Sequence, residues 1–175
     1  MALTPKTTET LHWATLDWNN GPLMLVRSHQ GLCMLLLGDD MNELQQELAK
    51  RCPGATLAAE PSPEDPVFKQ ALDCLATGNL SPDLPLDLRG TPFQLQVWQC
   101  LAKIPAGQTL SYSELAANVG RPRAVRAVAS ACGANPITLL IPCHRILAKG
   151  GGIGGYYWGA DVKRALLARE GVQLR

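Results

Sequence analysis

Ser111–Gly120 (SYSELAANVG) and Arg121–Gly133 (RPRAVRAVASACG) predict two short helices around a turn that holds a glycine. The first helix is closed by Gly120, and Arg121-Pro122 restarts the chain into a second that runs to about Cys132. Two short helices in this arrangement resemble a helix-turn-helix. In the second, Val125, Val128, Ala129 and Cys132 recur at the i, i+3, i+4, i+7 spacing of a core-facing stripe. Arg123, Arg126 and Ser130 lie off that stripe, and Ala124, Ala127 and Ala131 fill other exposed positions. A helix this slim can approach a nucleic-acid groove closely while its arginines reach in. Helix pairs of this kind also serve as plain structure, so the charge of the surrounding chain has to separate the two uses.

The whole chain of 175 residues has a net charge of +1, but its halves differ. Residues 1–88 carry 5 Lys+Arg against 12 Asp+Glu, a net of −7, whereas residues 89–175 carry 11 against 3, a net of +8. A basic half holding a helix-turn-helix is the electrostatic footprint of a nucleic-acid binder. Mutual attraction of the two halves is the competing explanation.

Upstream, Leu11–Trp18 alternates weakly and ends at the turn signal Asn19-Asn20-Gly21, and Leu23–Arg27 and Leu32–Leu37 follow as strands of a meander. Asp39 or Asp40 caps a helix to about Lys50, with Met41, Leu44 and Leu48 on one face. A second helix is expected from about Asp65 to Thr77, with Gly78 as its C-cap. Thr91 caps a third, with Pro92 at its first position. The fold class expected is therefore an α/β N-terminal domain, a small sheet with helices, over residues 1–85. A linker over 86–91 leads to a mainly α, winged-helix-like C-terminal domain with the helix-turn-helix over 92–175.

Apolar residues make up 46% of the chain, enough for a packed core, and no apolar run approaches the roughly 20 residues of a membrane span. The polar stretch Met1–Thr10 has no apolar centre and does not read as a secretory signal, so a cytoplasmic, intracellular protein without membrane contact is expected. The six cysteines are scattered, with no CxxC pair, and read as reduced thiols. His29 and Cys33 are too few for a metal centre, and no metal is expected.

The chemistry concentrates after the helix-turn-helix. The apolar run Leu139-Leu140-Ile141 leads directly into Pro142-Cys143-His144-Arg145. Proline fixes the backbone and ends regular pairing, so a thiol there is held rigidly. The neighbouring His can help remove the thiol proton, and Arg145 adds positive charge that favours thiolate. The competing reading is a small buried hydrophobe.

The segment Ile141-Pro142-Cys143-His144-Arg145 resembles the active-site signature of the O6-alkylguanine-DNA alkyltransferases. Phe93–Trp98, Ile104-Pro105-Ala106-Gly107, Ser111-Tyr112, Arg121–Ala131, Asn135-Pro136, Gly154-Gly155-Tyr156, Lys163 and Leu166–Gly171 resemble that family in order and spacing. The likeness covers essentially all of 90–175, while 1–85 resembles the family's variable N-terminal domain in layout only.

The resemblance implies a DNA-repair methyltransferase. It flips O6-alkylguanine, chiefly O6-methylguanine with O4-methylthymine as a second base, out of double-stranded DNA and keeps the alkyl group on Cys143 for good. His144 takes the thiol proton through a water, Glu170 orients that histidine, Tyr112 gives a proton or hydrogen bond to guanine N3, and Asn135 braces the active-site turn. The second helix lies in the minor groove, with Arg126 filling the gap left by the flipped base and Arg121, Arg123, Ala127 and Ser130 on the same DNA face. Pro142, Gly154, Gly155, Tyr156, Tyr157 and Trp158 surround the base pocket, Tyr156 packing on guanine and the Tyr157 N–H pointing at O6. Trp158 stands where many relatives have a small residue and is expected to narrow the pocket against bulky O6 groups. No cofactor and no obligate protein partner are expected, and the protein should act as a monomer, once per molecule. The alternatives are a damage-binding module without chemistry, a Cys–His hydrolase and a transcription regulator. The retained Cys143, His144 and Glu170 oppose the first, a hydrolase would need turnover and an oxyanion hole, and a regulator would usually need a dimerisation helix.

Overall fold

The computed structural model describes residues 9–18, 21–60 and 64–174. The turn expected at Asn19-Asn20 and most of the polar N-terminal stretch lie outside the described residues. The chain divides into two compact units. One holds the described residues up to Gly90 together with Pro136–Thr138, and the other holds Thr91–Asn135 and everything from Leu139 onward.

In the first unit, strands β1 (Thr10–Trp18), β2 (Gly21–Arg27) and β3 (Leu32–Leu37) pair antiparallel in succession. Leu23–Val26 and Leu32–Leu36 are all fully buried. Helix α1 (Met41–Arg51) starts where the Asp40 carboxylate accepts the Glu43 N–H, and its Leu44 and Leu48 are buried against the sheet. A short strand β4 (Thr56–Ala59), which no alternation in the sequence announces, pairs parallel to β1 and gives the sheet order β3-β2-β1-β4. Helix α2 (Pro66–Thr77) is capped by Asp65, begins on a proline and ends at Gly78, whose φ of 70° suits glycine best.

Residues 86–89 are tied to this sheet. Leu86 bridges Leu32, and Asp87 accepts a hydrogen bond from the Ser28 hydroxyl at 2.7 Å and others from Arg89. The Arg89 guanidinium also grips both Glu9 oxygens at 2.7 Å. Burial works against the Asp87 carboxylate, but the bonds from Arg89 and Ser28 outweigh it and hold its pKa below the ordinary value. Pro136–Thr138 join the same unit through the Leu35 N–H, which donates to the Pro136 carbonyl at 3.0 Å.

The second unit is helical. Helix α3 (Pro92–Leu101) opens on a reciprocal capping box between Thr91 and Gln94. A short strand β5 (Leu110–Ser111) leads into α4 (Tyr112–Asn118), which has its own box between Ser111 and Glu114. Helix α5 (Val125–Gly133) follows. A 3-10 turn at Cys143–Arg145, strand β6 (Ile146–Leu147), parallel to β5, and helix α6 (Ala160–Arg169) complete it. The helix-turn-helix is present as α4, a turn over 119–124 and α5. The second helix starts at Val125, later than expected, because the chain turns at Pro122 and the Ala124 N–H bonds back to the Arg121 carbonyl. No helix among the described residues is long and apolar enough to cross a membrane.

Candidate active site

The nucleophile candidate sits on a constrained turn. The apolar run before it forms turns, not a strand. Leu139 has a φ of 69°, rare for a leucine, and the chain then doubles back so that the Cys143 N–H donates to the Ile141 carbonyl at 2.8 Å. Asn135 holds this bend. Its Nδ2 donates to the Ile141 carbonyl at 2.6 Å and to Cys143 Sγ at 3.3 Å. An N–H aimed at sulfur favours the thiolate. Cys143 is buried, 7% exposed, and opens onto a cavity of about 330 Å³ lined by Tyr112, Ala129, Cys132, Gly133, Cys143, Gly155, Tyr156 and Tyr157.

His144 and Arg145, next in the turn, converge on Glu170 at the C-terminal end of α6. His144 Nε2 lies 2.9 Å from Glu170 Oε1, and Arg145 donates to both Glu170 oxygens at 2.8–3.2 Å. Arg145 also donates to the Ile104 carbonyl at 2.5 Å, and Glu170 Oε2 accepts the Gly107 N–H at 3.2 Å. Burial opposes the Glu170 carboxylate, yet the bonds from His144 and Arg145 bring its pKa down to about 2. For His144, burial dominates the attraction of Glu170 and pushes the imidazole below its usual value, so it rests neutral. Its Nδ1 is buried with no hydrogen-bond partner among the described residues, which leaves that nitrogen able to take a proton. The sequence reading used Arg145 as charge for the thiolate. The structure instead binds its guanidinium to Glu170 and Ile104.

Tyr112, the first residue of α4, donates from its hydroxyl to the Gly155 carbonyl at 3.2 Å. Burial raises its pKa to about 12, so it keeps the proton it would give. Gly154 brings the loop against it. Its φ is 68°, and a Cβ there would stand 3.2 Å from the Tyr112 ring.

Of the expected pocket residues, Gly155, Tyr156 and Tyr157 line the cavity, whereas Pro142, Gly154 and Trp158 do not. Trp158 packs edge-on against Tyr157, with ring centroids 4.9 Å apart. Tyr157, which is 52% exposed, therefore lines the pocket beside Tyr112 and Tyr156, and Trp158 reaches the pocket through it.

Arg121, Arg123, Arg126, Ala127 and Ser130 are all exposed, the first two on the turn and the others on α5. The Arg121 guanidinium lies 5.5 Å from the Phe93 ring centre. Ala131, expected on the surface, is buried because its carbonyl accepts the Trp98 indole N–H at 2.8 Å. Ala129, Cys132 and Gly133 reach the cavity from α5 although the sequence reading gave them no part in it. The helical spacing of Ala129 and Cys132 with Val128 suggests only core, and Gly133 reads as the end of the helix.

Residues 92–172 match the family model described as the 6-O-methylguanine DNA methyltransferase DNA-binding domain, and residues 11–77 match that of the ribonuclease-like domain of the same methyltransferase. The chain is 43% identical to a regulatory protein Ada of Salmonella typhimurium over 92% of its own length, but spans only 46% of that longer protein. It is 36% identical to an inducible methylated-DNA–protein-cysteine methyltransferase of Bacillus subtilis, covering 92% of this chain and 90% of the other. Among solved structures, a Mycobacterium tuberculosis OGT in complex with DNA superposes with a TM-score of 0.70 at 37% identity, covering 91% of this chain and 92% of the other.

Proposed function

The chain belongs to the 6-O-methylguanine DNA methyltransferase family, and from that premise we propose that it repairs double-stranded DNA by moving the O6-alkyl group of a flipped guanine onto Cys143, once per molecule. The observation that carries the reading is one small cavity lined by both Cys143 and Tyr112, with the His144–Glu170 pair starting at the next residue of the same turn. A base must leave the stack to enter such a pocket. His144 Nδ1 takes the thiol proton through a water, and Glu170 stabilises the imidazolium that results. The thiolate then attacks the alkyl carbon. The S–C bond forms as the C–O6 bond breaks, and the electron pair of the broken bond stays on the base. Tyr112 gives guanine N3 a proton, so the base leaves neutral. The proton held by His144 then restores the Tyr112 hydroxyl through solvent, so that in net terms the thiol hydrogen ends on guanine and a thioether with no easy leaving path stays on the protein. The reaction calls for no cofactor, because the substrate carries the group transferred. We place this activity inside the cell, where the DNA is.

Incubation with a duplex holding one O6-methylguanine should add one methylene, about 14 Da, to the intact mass, stopping at one per molecule, and Cys143→Ala should add none. Binding of the damaged duplex without any mass gain would instead establish a damage-binding module.

The exposed Tyr157, against which Trp158 packs, lines the cavity, and we expect a bulky O6 substituent to meet it there. The double variant Tyr157→Ser/Trp158→Gly should react at least about tenfold faster with O6-benzylguanine, the order expected for relieving one or two crowded contacts, while methyl transfer changes little. Equal benzylguanine rates in the two proteins would remove these aromatics from any part in specificity.

A further inference from the structure

The proposed reaction gives no part to Lys163, a buried charged side chain of the second unit. Lys163 in α6 is 0% exposed, and no carboxylate pairs with it among the described residues. Its Nζ donates to the Ile146 carbonyl at 2.5 Å and to the Gly155 carbonyl at 3.2 Å, and stands 6.0 Å from the Tyr112 ring centre. A buried ammonium satisfied by carbonyls alone is costly unless its charge meets a compensating one. The first acceptor begins β6, immediately after the Cys143–Arg145 turn. The second belongs to the pocket loop and is the same oxygen that accepts the Tyr112 hydroxyl. Lys163 thus ties the strand leaving the nucleophile turn to the pocket loop and to Tyr112.

Four other titratable groups lie within electrostatic reach of it: Tyr112 on α4, Cys143 on the turn, Cys132 on α5 and His144. Asp161 and Arg164 of its own helix are exposed and pair with each other. Burial lowers the Lys163 pKa, and negative charge on Cys143 or Cys132 raises it again.

We propose that Lys163 is a positioning residue for alkyl transfer, whose ammonium locks the Cys143 turn to the pocket loop and supplies the buried positive charge that the thiolate answers. This rests on the reading of Cys143 as the nucleophile. When the thiolate forms, the ammonium gains its counter-charge, and when the thioether replaces it, that counter-charge is lost.

Lys163→Gln keeps N–H donors for the carbonyls and removes the charge, while Lys163→Arg keeps the charge. Alkylation of Cys143 by iodoacetamide, followed against pH by peptide mass, reads the thiol without DNA. In Lys163→Gln its apparent pKa should rise by about one unit, and methyl transfer from saturating duplex at neutral pH should fall about tenfold, the equivalent of that shift. The deficit should shrink as pH rises, and Lys163→Arg should recover part of it. Superimposable thiol titrations and pH profiles for Lys163→Gln and the unaltered protein would overturn the proposal, whatever the melting temperatures. Should neither variant fold, nitrogen NMR of Lys163 Nζ in the unaltered protein decides. S-methylation of Cys143 should lower the lysine's titration by about one unit, and an unmoved titration overturns the proposal. A failure of the alkyltransferase reading shows separately, as no mass gain from the duplex in the unaltered protein.

Discussion

Replacing Glu170 with alanine should lower stability by about 3 kcal/mol and slow methyl transfer at least about a hundredfold, the first because a buried pair loses one partner and the second because His144, the general base proposed above, loses its support. The Glu170 side chain is 16% exposed and accepts from Arg145, whose side chain is 4% exposed, and from His144, at 3%. Without the carboxylate, both are left in the interior with part of their hydrogen-bonding unmet, Arg145 keeping the Ile104 carbonyl. Glu170→Gln separates the two effects. Its amide oxygen can still accept from Arg145, so part of the stability should return, whereas the carboxylate charge that Arg145 answers, and that would stabilise a His144 imidazolium, does not. Chemical denaturation should therefore rank the glutamine variant between alanine and the unaltered protein, while single-turnover rates rank it near alanine. A glutamine variant with full transfer rate would show that orientation, not charge, is what Glu170 provides.

The same group sets the response to acid. Its folded pKa of about 2 lies below the ordinary 4.5, so the stability it contributes is present above pH 4.5 and is lost as pH falls toward 2. His144 works in the same direction. Its folded pKa is depressed by burial, so the unfolded chain binds the proton first, and stability declines as pH falls through the ordinary value of 6.5. The Glu170→Gln variant should lose the component of acid sensitivity between pH 4.5 and 2, measured by denaturant midpoints across that range.

Local rules made much of this legible in the sequence. Asp40, Asp65, Thr91 and Ser111 cap helices through bonds that span only two or three residues, and such signals survive whatever the rest of the chain does. Cys143 stands out because rigid backbone and family spacing both point to it, Tyr112 through family spacing alone. What stayed hidden depends on pairing at long range. Strand β4 has no alternation of its own and exists because β1 offers it an edge 46 residues upstream, Thr10 against Thr56. The partners of Arg145 lie 25 and 41 residues away, so its role as a structural clamp had no local sign. Lys163 is the sharpest case. A lysine in a helix reads as surface, and only the fold reveals that carbonyls from strand β6 and the pocket loop close around it.

Arg126→Ala should leave the fold nearly unchanged and yet cut transfer from duplex DNA about a hundredfold or more. Arg126 is exposed on α5, with no hydrogen bond or ion pair to another group among the described residues, so its removal costs the protein alone little. Two roles could make it matter on DNA. A phosphate contact would weaken binding to all duplexes alike and reduce the salt dependence of affinity by about one charge. A side chain that fills the gap left by a flipped base acts later, holding open a state that costs a few kcal/mol of lost stacking and pairing. The second role predicts that affinity for undamaged duplex changes little, that the rate at saturating damaged duplex falls, and that the free O6-methylguanine base reacts as fast with the variant as with the unaltered protein. It also predicts rescue by the substrate. Placing the lesion in a mismatch or in single-stranded DNA removes much of the unpairing cost, so the variant should regain most of its rate there. If instead the saturated rate is unchanged and only affinity drops, Arg126 is a phosphate contact, and the energy for opening the helix must come from other groups on α5.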